Sequence, residues 1–221
     1  MKQIGSYTLA IVFSVIHANI FGMHNERMQK LNEELYQATY TSNYDRVQDA
    51  LTSGANANAI KNDMPIIFEA KNCQIAKLFV AYGANLNAAR FISRTLVHQA
   101  TIPGYEPALL EYYLQYAGIN VNKLTDLSET PLHIWAEFAF LTTSETLHDQ
   151  LQKLDLLLRA GVDYEHRDQC FDTALKILQG YSNPQTLTPK MQQYLHSFPE
   201  ASAMIQALKE ALEVAIFRKK Q

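Results

Sequence analysis

The chain has 221 residues, of which 48% are hydrophobic, 10% aromatic and 19% charged, and its formal net charge is −3. That is enough apolar sequence for one folded domain, and it excludes global disorder. The single basic run is Arg218, Lys219 and Lys220, so the chain is not built to grip a phosphate backbone and nucleic acid is not an expected partner.

Residues 1–22 stand apart from the rest. Lys2 precedes an apolar run from Leu9 to Ile16 and no acidic residue occurs before Glu26, which is the order of a secretory signal peptide. Ala18 and Gly22 are the small residues at which cleavage would fall, although Ile16 is bulky for a site ending at Ala18. The alternative is an uncleaved anchor, because Ile4 to Phe21 spans 18 residues but contains Ser14, His17 and Asn19. The signal reading makes the protein exported, either periplasmic or secreted. The two cysteines, Cys73 and Cys170, form no disulfide framework.

A repeat occupies residues 30–182. Gly54-Ala55-Asn56-Ala57-Asn58, Gly83-Ala84-Asn85-Leu86-Asn87, Gly118-Ile119-Asn120-Val121-Asn122 and Gly161-Val162-Asp163-Tyr164-Glu165 are versions of one pattern, spaced 29, 35 and 43 residues apart. Each follows an amphipathic segment, predicted as helices over Tyr44–Thr52, Cys73–Tyr82, Pro107–Ala117 and Gln150–Ala160. Each glycine is placed to end its helix in the left-handed region, and the Asn or Asp after it suits the turn that follows. A second signature comes next. Met64-Pro65-Ile66-Ile67-Phe68-Glu69-Ala70, Thr95-Leu96-Val97-His98-Gln99-Ala100, Thr130-Pro131-Leu132-His133-Ile134-Trp135-Ala136 and Thr173-Ala174-Leu175-Lys176-Ile177-Leu178 each predict a short helix. In the third copy Leu132 and Ala136 share one apolar face whose small member admits a close neighbour.

Taken as a series, these motifs resemble the ankyrin repeat, with its T-P-L-H-x-A helix start and G-A-D-V-N-A connection. The resemblance covers about residues 31 to 180. It implies an all-α solenoid of about five antiparallel helix pairs with turns projecting as fingers. The first pair, with Leu35, Ala38, Val47, Ala50 and Leu51 on its apolar faces, looks like an N-terminal cap without the Thr-Pro. The second unit is short and has Cys73 where the family has glycine, and the third has Leu96 in place of proline. The fourth carries an insertion, Phe138 to Asp149, expected to extend the inner helix and widen the groove. Residues 183–221 read as a C-terminal helical cap. In it, Pro189 to Ser197 is an outer helix and Pro199 to Arg218 a closing helix, with Ala203, Ala207, Leu208, Ala211, Leu212 and Ala215 as its stripe.

The resemblance also gives His98 and His133 a structural role, bridging backbone groups between adjacent turns, and no metal is expected. Cys73 and Cys170 would lie on the order of 30 Å apart in such a stack, too far for a disulfide. Two free thiols argue mildly against export unless both are buried. There is no glycine-rich phosphate loop, nucleophile elbow or H-E-x-x-H motif, so the chain reads as non-enzymatic, with no cofactor and no small-molecule substrate.

Matching the family's variable, solvent-facing positions onto this chain gives the expected partner-binding residues. In the second unit they are Lys61, Asp63, Lys71 and Asn72, and in the third Phe91, Ile92, Arg94 and Ile102. The fourth unit supplies Asp126, Leu127, Glu129, Glu137 and Phe138, and the fifth Gln169 and Asp172. Phe91, Ile92, Leu127 and Phe138 are the expected hot spot, unless each folds back onto a neighbour. Trp135 either fills the contact with the next unit, the favoured reading, or lines the concave face. The resulting expectation is a monomeric protein-interaction module. Its leader and divergent repeats look like those of exported bacterial ankyrin proteins, including effectors of intracellular bacteria. An envelope scaffold or protective protein is the alternative.

Overall fold

The computed structural model describes residues 23–116, 118–170, 172–181 and 199–221. The fold is all-α. The expected leader at 1–22 and the expected helix Pro189 to Ser197 lie outside the described residues.

Residues 23–40 form α1, and Ser42, at φ 53°, turns the chain into α2, Tyr44–Thr52. Asn43 caps α2 by accepting a hydrogen bond from the Arg46 amide at 3.1 Å. Leu35, Ala38, Val47, Ala50 and Leu51, the five positions expected to be apolar, are all buried. A two-residue hairpin follows, β1 (Ile60–Lys61) paired antiparallel with β2 (Met64–Pro65). Its corner, Asn62 and Asp63 at φ 50° and 59°, is the doubly left-handed turn that suits strand twist.

The second unit departs from expectation. Met64-Pro65 opens only a 3-10 turn, Ile66–Glu69, rather than an α-helix. Met64 has no hydroxyl with which to cap, and Asn72 already begins α3 (Cys73–Ala81), accepting from the Ile75 amide at 2.9 Å. Too little chain remains for a longer helix. The third unit has a 3-10 turn at Phe91–Ser93, then α4 (Leu96–Ala100) and α5 (Pro107–Leu114). The fourth has α6 (Pro131–Glu137) and α7 (Leu147–Arg159), and the fifth begins with α8 (Ala174–Tyr181). The closing helix α9 runs Pro199–Lys219.

Packing arranges these helices in two rows. α2, α3, α5, α7 and α9 contact one another in succession, as do α4, α6, α8 and α9, while α4 on α5 and α6 on α7 join the rows. The core is continuous from Leu35 to Leu212. Trp135 is fully buried and its indole N–H donates to the Gln150 carbonyl at 3.1 Å, so it fills the α6–α7 contact. The insertion does not extend α6. Phe138 caps that helix at φ −92°, a 3-10 turn at Ala139–Leu141 packs on α9, and α7 starts earlier than expected, at Leu147. In α9 the buried residues are Ile205, Leu208 and Leu212, whereas Ala203 is exposed.

Candidate interaction surface

The third, fourth and fifth units each open with a finger, built by backbone bonds in one register. The amides of Arg90, Thr125 and Asp168 donate to the carbonyls of Arg94, Glu129 and Asp172, at 2.9, 3.0 and 3.0 Å. Two residues before Met64, Thr95 and Thr130 stands a left-handed residue: Asn62, Ser93 and Ser128 at φ 50°, 59° and 59°. In the third finger Ile92 is left-handed as well, at φ 56°. A β-branched side chain strains that conformation.

Neighbouring fingers are sewn together. His98 Nδ1 lies 2.8 Å from the Thr95 hydroxyl and its Nε2 lies 3.3 Å from the Glu129 carbonyl. His133 repeats this with Thr130 at 2.8 Å and the Asp172 carbonyl at 3.1 Å. Burial holds both rings neutral, taking His98 down to about 4 and lowering His133. The Asp126 amide donates to the Ile92 carbonyl at 3.0 Å, and the Gln169 amide to the Leu127 carbonyl at 3.1 Å.

At the other end of each connection, Asn58 accepts from the Asn85 amide at 2.7 Å and donates to the Gly83 carbonyl at 2.9 Å. Asn122 does the same to Asp163 at 2.7 Å and Gly161 at 3.1 Å. Asn58 and Asn122, each the second Asn of a Gly-x-Asn-x-Asn copy, therefore link units.

The expected site residues fall into three groups. Phe91, Asp63 and Asp126 are exposed at finger tips, and Phe91 is 81% exposed. Asp126 accepts a 2.5 Å bond from the Ser93 hydroxyl. Ile92, Leu127 and Phe138 are half-buried, so these three fold back in part. Lys61 pairs with Glu33 and lies 5.7 Å over the Tyr36 ring, and Lys71 lies 5.5 Å over Tyr40. Asp172 pairs with Lys176. Asn72 is occupied in capping α3.

Arg94 corrects the expectation most clearly. It is only 8% exposed, bonded to Glu137 at 3.0 Å, 3.8 Å from Glu129 and 5.6 Å over the Phe138 ring. Four expected contact residues thus contact one another, with the buried Arg94 Nε left without a partner. Burial raises the Glu137 carboxyl, and Arg94 opposes that rise. The Tyr181 hydroxyl donates to the Glu137 carbonyl, tying α8 to the end of α6.

Ile60 and Tyr40 are among the exposed apolar groups that were missed. Ile60, 67% exposed, stands four residues before Met64, as Phe91 stands four before Thr95. The finger register, once aligned, could have found it. Tyr40, at the end of α1 and 55% exposed, carried no such signal.

Cys73 and Cys170 are free thiols, half-buried and exposed respectively. Among the described residues no group of three or more His, Cys, Asp or Glu side chains could hold a metal. No helix of the described residues is long and apolar enough to cross a membrane. No protein-family model matches the chain, and no curated protein does.

Proposed function

We propose that the chain is a divergent ankyrin-like repeat module that binds a protein partner through its finger tips and the adjoining ends of its inner helices. The observation that carries this reading is Phe91, an 81% exposed aromatic on a finger whose backbone is held in the left-handed region at two successive residues. Exposing a large apolar group on a strained turn costs stability without aiding the core, and aromatic anchors of this kind dominate protein interfaces. Ile60 presents a second apolar group at the equivalent position of the preceding finger. The two-row helix packing and the His98 and His133 bridges support the ankyrin-like assignment.

Contact is centred on Ile60 and Phe91, with Asp63, Lys61, Asp126 and the exposed side of Glu137 as its polar surround. Arg94 and Glu129 position that surface rather than touch the partner. Affinity capture with the wild-type chain and with the Ile60→Asp/Phe91→Asp variant tests this. Partners are expected to be lost by the variant while its circular dichroism is unchanged, and retention of the same partners overturns the binding face. Export of the module is part of the proposal and rests on the composition of residues 1–22. Cell fractionation that finds the full-length chain in the cytoplasm removes that part and leaves the binding face standing.

A further inference from the structure

The fingers are not all joined in the same way. The fourth and fifth are each tied to the finger before by two bonds. A backbone amide, Asp126 or Gln169, donates to the preceding finger, and a histidine of the preceding unit, His98 or His133, reaches the carbonyl of Glu129 or Asp172. Neither bond forms between the second finger and the third. Ile67 stands at the histidine position and has no ring nitrogen to offer the Arg94 carbonyl. Lys61 is paired with Met64 inside its own hairpin, and the Phe91 amide, at the position of Asp126 and Gln169, has no acceptor among the described residues.

These two fingers meet instead through Arg90, whose Nη1 lies 3.6 Å from the Met64 sulfur. The Arg90 side chain is half-buried, yet no carboxylate stands within ion-pair distance of it among the described residues, whereas Arg94 has both Glu137 and Glu129. Burial and the like charge of Arg94 lower the Arg90 guanidinium from its ordinary value, with Tyr105 and Glu69 opposing. A thioether is a weak acceptor, so the guanidinium fork keeps its capacity to hold a carboxylate by two bonds. Lys61, by contrast, is already paired with Glu33. The third finger is fixed from its other side, where the Asp126 amide holds the Ile92 carbonyl and the Ser93 hydroxyl donates to Asp126. Asn58 closes the connection end of the same junction. The unjoined groups are therefore held in place, which lowers the cost of binding.

We propose that the seam between the second and third fingers receives a segment of the protein partner carrying one Asp or Glu next to an apolar residue: the carboxylate pairs with Arg90 and accepts from the Phe91 amide, and the apolar side chain packs on Phe91. This rests on the partner-binding reading above and names what the partner supplies. Asp63 and Asp126 are exposed on the fingers to either side, so they repel a run of acids and favour a single one directed at Arg90.

The test presents random peptides, displayed on phage so that no free carboxyl terminus is offered, to the full chain. Enriched sequences are expected to carry a single acid beside an apolar residue. The tightest, synthesised with both ends blocked, is titrated against wild type and Arg90→Gln, alongside the same peptide with its acid changed to the amide. Each single change is expected to weaken binding by roughly ten-fold or more, and the two together by little beyond either alone. Should Arg90→Gln fail to fold, Arg90→Lys, which keeps the charge but not the fork, takes its place and is expected to weaken the acid peptide and not the amide one. Enrichment of no peptide, equal affinity of the acid and amide forms, or full additivity overturns the proposal. If Phe91→Asp abolishes binding while Arg90→Gln and the amide peptide leave it unchanged, the acid site falls and the finger-tip reading stands. If Phe91→Asp leaves binding unchanged as well, both fall.

Discussion

Between pH 6.5 and 4 His98 changes the stability of the protein, because the folded ring is held neutral by burial while the unfolded one takes a proton at its ordinary 6.5. Its contribution is complete above pH 6.5 and is lost as pH falls toward 4, by up to about 3 kcal/mol. Thermal melts at pH 7 and 4.5 are expected to show this loss, and a His98→Gln variant, which cannot charge, is expected to lose less across the same interval. His133→Ala is expected to cost about 1–3 kcal/mol at pH 7, because the Asp172 carbonyl and the Thr130 hydroxyl lose a shared partner. Arg94 makes a contrasting point. A charged residue at a variable position is by default solvent-facing, and only the neighbouring unit's Glu137 and Glu129 draw it inward. Arg94→Met is therefore expected to lower stability by about 2 kcal/mol in urea unfolding, since it leaves Glu129 half-buried without its cation.

At the scale of single elements, the helices with strong local signals were legible in the sequence. α2 matches its predicted span, Tyr44–Thr52, because Asn43 caps it and Gly54, at φ 100°, ends the segment. Gly83 does the same after α3 at φ 82°, with nothing within 4 Å of where a Cβ would stand. Gly83→Ala is therefore expected to cost about 1–2 kcal/mol from backbone strain alone, without a steric clash. Circular dichroism melts of that variant check the figure. The second unit was misread because propensity cannot measure how much chain remains before the next cap at Asn72. The insertion was misread for a related reason: its residues favour neither state strongly, and contact between Ala139–Leu141 and α9 fixes their path.

Across the whole molecule, the principal helix contacts run between elements close in sequence. Coupling should therefore fade with distance along the stack. Val47→Ala in α2 and Leu208→Ala in α9, both fully buried, are expected to cost roughly 1 and 3 kcal/mol and to add in the double variant. An interaction term much above ~0.5 kcal/mol in urea unfolding would contradict this. The sequence by itself determined the helical class and the span of α2, while the bridging role of the two histidines followed from the resemblance to the ankyrin repeat. The first two depend on caps, glycine stops and apolar spacing that act within one unit. Only the tertiary structure decided which variable residues face outward and which pair with the next unit. It withdrew Arg94 and Glu129 from the surface, left Ile60 exposed like Phe91, and buried Lys153 between two helix pairs. Those outcomes depend on how far one unit stands from its neighbour, and that distance is set by side chains brought together from different repeats.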